Sequence, residues 1–291
     1  MGGRSVCAAV DLLTTVEVNG TSEAERTADA AWHEWAAKIW HFVGERIPGL
    51  APDPPPVRVW SQAPSASGLS TSTALILALF DGFVATIPNA PLVSRRLLVE
   101  WAYEFEFAIC NGGGMDQIAI ALGGTTLFQG RATGLPVVID RTDFPAEWSL
   151  IVVDSGTRKS TPEHIRSVRA QHAAGDRVLA EYVERADAAS GLVWEALRAR
   201  RLTALTDAMT AAHRAMRDLQ NMSTPLLEHL RALAHTVGLP LKVSGAGGGG
   251  ALVGVCPEAD ASRIAESLRV AYRDVQPGVQ VIAAGSVASI S

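Results

Sequence analysis

Three cysteines, Cys7, Cys110 and Cys256, are scattered through 291 residues, too few and too far apart for a disulfide framework or a close-spaced metal motif. A reducing compartment is the expected setting. Surplus positive charge is also missing: 25 Lys plus Arg stand against 30 Asp plus Glu, and no stretch gathers the basic residues into the stripe that a nucleic-acid backbone requires. No nucleic-acid partner is expected. The longest apolar run, 73–87, is broken by Asp81 and falls short of the ~20 residues that cross a bilayer, so no membrane partner is expected either. Nor is there a signal-peptide core, because Asp11 follows only a few apolar residues. Internal repeats and low-complexity tracts are absent. A soluble, cytoplasmic protein is expected.

With 48% of its residues apolar, a chain of this length can bury one large core or two ordinary ones, and two domains are expected, 1–147 and 148–291. The stretch 6–18 reads as a strand or hairpin arm, and 22–46 as a helix with Trp32, Trp35, Ile39 and Val43 at helical spacing. A proline-rich connector, 52–56, leads to a strand at 57–62, a loop of small residues and an apolar helix at 74–85. Helices at 94–108 and from Met115, then strands at 125–129 and 137–140, complete the first half. The second half reads as a strand at 150–154, helical stretches at 161–200, 202–219 and 225–236, strands at 241–244 and 251–256, a helix at 259–275 and a strand at 279–283. This alternation predicts an α+β fold.

Three features carry chemistry. In Gly68-Leu69-Ser70-Thr71-Ser72-Thr73-Ala74, hydroxyls and free backbone N–H groups stand at the positive end of a helix dipole, where a polyphosphate is held well. Taken alone, the same residues also describe an ordinary N-capped helix. The second is Lys242-Val243-Ser244 followed by glycine at five of the six positions 245–250. So much glycine is entropically costly unless the backbone must approach something closely; a wide hairpin loop is the alternative. The third is Glu104, followed by 110–117, where Asp116 ends a triple-glycine loop. A carboxylate there can sit close to a substrate, and a second acid one helix away can hold Mg²⁺.

Together these motifs resemble those of the galactokinase, homoserine kinase, mevalonate kinase and phosphomevalonate kinase (GHMP) superfamily. Its pattern is Pro-x-x-x-Gly-Leu-x-Ser-Ser-Ser/Thr-Ala in the middle and a Gly-Ala-Gly-Gly-Gly-Gly loop near the end, and order and separation match over nearly the whole chain. The sugar kinases look closest. Gly113-Gly114-Met115-Asp116-Gln117 is similar to the galactokinase segment Gly-Ile-Met-Asp-Gln, and Asp154-Ser155-Gly156-Thr157-Arg158-Lys159-Ser160 resembles the next conserved galactokinase segment. His213-Arg214-Ala215-Met216-Arg217-Asp218 likewise resembles a galactokinase helix, with His213 bonding inside the helical domain.

The resemblance implies a two-domain fold, ribosomal protein S5 domain 2-like in its N-terminal half and ferredoxin-like in its C-terminal half. It implies an ATP- and Mg²⁺-dependent kinase of a sugar hydroxyl, the anomeric one of a hexose, heptose or octose derivative being favoured. A non-sugar alcohol of the mevalonate or homoserine type is the alternative acceptor, and a nucleotide or sugar sensor without turnover the alternative class. Carried over residue by residue, Asp116 accepts or orients the proton of the attacking hydroxyl, and Arg158 or Lys159 is the cation facing the transferring group. Ser72 and Glu104 ligate Mg²⁺. The backbone from Gly68 to Ser72 holds the β- and γ-phosphates within a nucleotide-binding stretch of Pro64, Ser67, Gly68, Leu69, Ser70, Thr71, Ser72 and Thr73; Trp60, on the strand before that loop, is a candidate neighbour of the adenine by its position. Gly113, Gly114, Asp116, Gly247 and Gly248 line the acceptor site. A monomer or homodimer is expected.

One superfamily motif is not found. The strand and loop that precede everything else, of Ala-Pro-Gly-Arg-Val-Asn or Arg-Ile-Asp-Phe-Ala-Gly-Gly type, have no counterpart, and 2–11 resembles the stretch immediately C-terminal to them in heptose kinases. The expectation is a start downstream of the full chain's, or a lost first strand, with weaker substrate binding and a sheet edge that a dimer could cover.

Overall fold

The computed structural model describes residues 2–19, 30–65, 67–88, 93–110, 112–158 and 161–290. Asp11 divides the opening apolar stretch into two strands of different sheets, β1 (Arg4–Ala8) and β2 (Thr14–Val18), where a single strand or hairpin arm is expected. The cause lies at the other end of the chain: the Asp11 carboxylate accepts from Gly285 N at 2.8 Å, and Val10 bridges Ser286, so the chain bends where the C-terminal segment crosses it.

β2 pairs antiparallel with β3 (Val57–Ser61). β1 lies beside β4 (Thr125–Gln129), which in turn pairs with β5 (Val137–Thr142), both antiparallel. Helices α1 (Ala30–Gly44), α2 (Thr71–Thr86), α3 (Arg95–Cys110) and α4 (Met115–Leu122) complete this half. Residues 22–29 of the expected first helix lie outside the described residues.

The second half begins with β6 (Trp148–Asp154) and continues with α5 (Thr161–Ala173), α6 (Arg177–Arg198), α7 (Leu202–Gln220) and α8 (Pro225–Thr236). β7 (Lys242–Val243), β8 (Ala251–Pro257), α9 (Ala261–Tyr272) and β9 (Gln280–Ala284) close the chain. The helical stretch expected as a unit over 161–200 is split because Asp176 caps α6, its carboxylate accepting from Val178 N and Leu179 N, just after Gly175 turns the chain at φ +64°. The sheet order β7-β8-β6-β9 is all antiparallel, with the first strand of this half between its third and fourth. That is the ferredoxin-like arrangement the resemblance implies.

Three cores hold the molecule. Aromatic rings dominate the first, where Trp40, Phe80, Phe83, Trp101 and Phe105 pack among α1, α2 and α3, mostly edge to face. The second is aliphatic and lies between the β6–β9 sheet and α8 and α9. A third joins the halves, placing Leu127 of β4 with Leu150 of β6 and Trp194 of α6. α2 runs through the first core with Leu75, Ile76, Leu79, Phe80 and Phe83 at 0% exposure, so the loop that opens it stands on a rigid post. Among the described residues no helix is long and apolar enough to cross a membrane.

Candidate active site

The loop before α2 is braced by its own hydroxyls. Ser67 Oγ and Thr71 Oγ1 both donate to the Pro64 carbonyl, at 2.8 and 3.0 Å, and both side chains are buried. Ser67 and Thr71, expected to face the nucleotide, therefore hold the loop in shape. Ser70 enters the helix in the left-handed region (φ 58°), with no side-chain cap and no acid in the first turn. The ordinary N-cap that the sequence also allowed is not present. The first turn instead offers uncapped N–H groups at the positive end of the dipole, with Ser72 exposed beside them.

Against this loop lies the late glycine run, which connects the hairpin β7–β8 and also makes the close backbone approach its composition suggests. Ala251 N donates to Ser67 O at 2.6 Å, Ser244 Oγ to Gly68 O at 3.1 Å, and Gly250 N to Thr157 O at 2.9 Å. Gly250 holds φ +73°, and a Cβ there would overlap the Ser67 carbonyl, so no other residue fits. Gly248 is exposed and donates its N–H to Met222 O at 2.8 Å, whereas Gly247 is buried against Met222.

His213 anchors the other end of the hairpin. Fully buried, it accepts from Val243 N through Nδ1 at 3.3 Å and faces Glu228 Oε1 through Nε2 at 2.8 Å, which makes Nε2 the protonated nitrogen. Burial and the Arg231 charge depress its pKa. Burial works against the Glu228 charge, yet hydrogen bonds from Ser223 and His213 and the Arg231 guanidinium bring its pKa down to about 2. The histidine is a strut, as its place in the helical domain suggested.

The acids stand at the opposite wall. Asp116 is exposed in the first turn of α4, entered through Gly114 at φ 79°, where a side chain would strike Leu135 and Tyr103; Gly113 is exposed beside it. Glu104 is not its neighbour. On α3 the buried stripe runs Leu98, Trp101, Ala102 and Phe105, and Glu104 points away from it to pair with Arg46 at 2.8 Å on the surface. Arg46 itself lies over the Phe42 ring.

The acid that faces the site is Glu106, two residues on and about 200° around the helix. Both its oxygens accept from Thr73 Oγ1, at 3.0 and 3.1 Å, and Gln117 Nε2 donates to it. Burial raises its pKa to about 7; the Thr73 bond opposes the rise, and the Asp116 charge adds to it. The two carboxylates thus share one region at the N-terminal ends of α2 and α4. No sequence signal separates Glu106 from Glu104, because the choice depends on how α3 packs on α2.

Two other expected residues lie further out. Arg158 is exposed, with its backbone rather than its side chain against Gly249. Trp60 is 50% exposed on β3, four residues before Pro64. Lys159 lies outside the described residues. Two groups that sequence reasoning left aside, Cys7 of β1 and Lys242 of β7, complete the region: the Cys7 thiol is pushed up to about 12 by burial, with the Asp116 charge adding and the Lys242 charge opposing.

Two family models match this chain: GHMP kinases N terminal domain over residues 35–124 and GHMP kinases C terminal over residues 194–274. The chain belongs to the GHMP kinase superfamily. A curated relative, the mevalonate kinase of Archaeoglobus fulgidus, is 25% identical over 264 residues, covering 87% of this chain and 85% of the relative. Among solved structures, L. major mevalonate kinase in complex with R-mevalonate superposes at a TM-score of 0.77 with 18% identity, covering 100% of this chain and 91% of that one. Lactococcus lactis galactokinase complexed with galactose gives 0.70 with 15% identity, covering 99% and 89%.

Membership in the GHMP superfamily implies a phosphotransferase with an alcohol acceptor, and GHMP kinases generally use ATP with Mg²⁺. The residues present fit that requirement. Glu106 and Asp116 are hard oxygen donors close enough for one charge to oppose the other, which is the situation a divalent cation relieves. Among the described residues no cluster of three or more His, Cys, Asp or Glu could hold a metal ion.

Proposed function

We propose that this GHMP kinase moves the γ-phosphoryl group of ATP onto a hydroxyl of a small molecule, in a cleft between the halves 1–147 and 148–291. The observation that carries the reading is the meeting of three distant segments: the braced loop at Ser67–Ser72, the glycine run bonded to it through Ala251 and Ser244, and the acid pair Glu106–Asp116.

Asp116, exposed and without a hydrogen-bonded cation among the described residues, would receive or orient the proton of the acceptor hydroxyl as its oxygen bonds to phosphorus and the bond to the β–γ bridging oxygen breaks. Exposed Ser72 and half-buried Glu106 would hold Mg²⁺, which when bound neutralises phosphate charge. The uncapped N–H groups of the first turn of α2 would hold the phosphates, at no reorganisation cost because α2 is locked in its core. Trp60 would offer its exposed ring face to the adenine. Arg158 is kept as a cation able to reach the cleft mouth only if its exposed side chain turns inward.

A sugar hydroxyl, the anomeric one first, is supported by the Gly113-Gly114-Met115-Asp116-Gln117 and Asp154–Ser160 segments. A mevalonate-type alcohol is supported by the Archaeoglobus relative. Initial rates of ADP release with MgATP and a panel of hexoses, heptoses, their phosphates, mevalonate and homoserine separate them. Turnover with a sugar that Asp116→Asn abolishes supports the first reading, and turnover with mevalonate alone supports the second. Nucleotide binding without turnover on any acceptor would identify a sensor.

A further inference from the structure

Lysine is scarce in this chain: only Lys38, Lys159 and Lys242 occur among 25 Lys plus Arg. Lys242 is also the one whose surroundings call for an anion. Its neighbour Val243 is buried in the aliphatic core, so strand alternation turns Lys242 and Ser244 to the opposite face. That face looks at the phosphate loop, because Ser244 N continues the ladder to Ala251 O while Ser244 Oγ reaches the Gly68 carbonyl.

The ammonium carries three N–H groups, and among the described residues its one hydrogen bond goes to Val243 O at 2.8 Å. It forms no ion pair there. The residue as a whole is half-buried, and desolvation lowers the ammonium pKa to about 8. The Cys7 thiol of β1 is influenced by the Lys242 charge from β7 and by the Asp116 charge from α4, so both charges act on one neighbourhood.

We propose that Lys242 is the cation of the phosphoryl-transfer site, its free N–H groups holding oxygens of the terminal phosphate between the Gly68–Ser72 loop and Asp116. The inference rests on the kinase reading and assigns to Lys242 the place that the sequence suggested for Arg158. A fixed point charge at that position stabilises the charge carried by the transferring group without itself reacting.

Calorimetric titration with Mg²⁺ and the non-hydrolysable analogue AMPPNP, compared with Mg²⁺ and ADP, reads the contact directly. Lys242→Met should weaken AMPPNP by about 10- to 100-fold, the range of a charge-assisted hydrogen bond, with ADP changed by less than about threefold and Lys242→Arg close to wild type. Equal weakening of both nucleotides, or no weakening of either, overturns the assignment. A second measurement needs no charge-removing variant: reductively ¹³C-methylated wild-type protein has three lysine signals, with Lys242 assigned from Lys242→Arg. That signal should move on adding MgAMPPNP and stay within a small fraction of that shift on adding MgADP. A Lys242 signal indifferent to MgAMPPNP would sink the proposal even if Lys242→Met fails to fold. Wild-type protein that binds neither nucleotide defeats the kinase reading itself, which distinguishes the two failures.

Discussion

The two walls of the cleft are built from different materials. On the C-terminal side the wall is backbone: Gly250, Ala251 and Ser67 meet through main-chain hydrogen bonds, and what matters is the absence of side chains. On the N-terminal side it is side chain: Thr73, Glu106, Asp116 and Gln117 meet through hydroxyl, amide and carboxylate groups on helices that are already buried. The first contact is steric, made by main-chain groups and the Ser244 hydroxyl, with Lys242 beside it. The second is electrostatic and tolerates isosteric change in shape while losing its chemistry. Fold and reaction are therefore separable by mutation, wall by wall.

The largest effect should come from the side-chain wall. Asp116→Asn is expected to lower turnover by about 10²- to 10⁴-fold, the range of a lost proton acceptor, while leaving the melting temperature within about 2 °C because the residue is exposed. Turnover within tenfold of wild type would remove Asp116 from the reaction. Next, Gly250→Ala should break the comparison from the other side. Its Cβ meets the Ser67 carbonyl at φ +73°, and urea unfolding should report a loss of about 2–4 kcal/mol, with nucleotide binding lost in parallel. An unchanged urea midpoint would mean that the two loops do not touch.

Glu106→Gln sharpens the contrast, since it should reduce activity yet stabilise the protein without nucleotide. The Glu106 pKa is raised from 4.5 to about 7, chiefly by burial. Its contribution to stability is therefore full below pH 4.5 and is lost as pH rises through about 7. At pH 8 the neutral amide should melt about 2 °C or more above wild type, and the gap should close by pH 5; a gap that widened toward acid would reverse the sign and exclude a raised pKa. The smallest effect belongs to Glu104→Gln, which removes only the exposed pair with Arg46. Stability should change by less than ~1 kcal/mol and turnover by less than about twofold, so a large loss of activity there would return the metal role to Glu104.

What the amino-acid sequence determined by itself was local. α4 begins at Met115 and β4 spans Thr125–Gln129 as their residues predict, and Asp116 follows its triple glycine into a helix N-terminus, because turn and capping chemistry act over a few residues. The kinase resemblance was legible for the same reason, since its motifs are short runs. Only the tertiary structure decided which of two acids on α3 meets Thr73 and Gln117. Glu104 and Glu106 have similar local sequence, and the choice depends on the phase at which α3 packs on α2. It also decided that 6–18 divides between two sheets, since the bend is held by Gly285, and that Ser244, next to Lys242, reaches the Gly68 carbonyl. Contacts between residues far apart in the chain are set by how buried faces fit together, and no window of sequence contains that information.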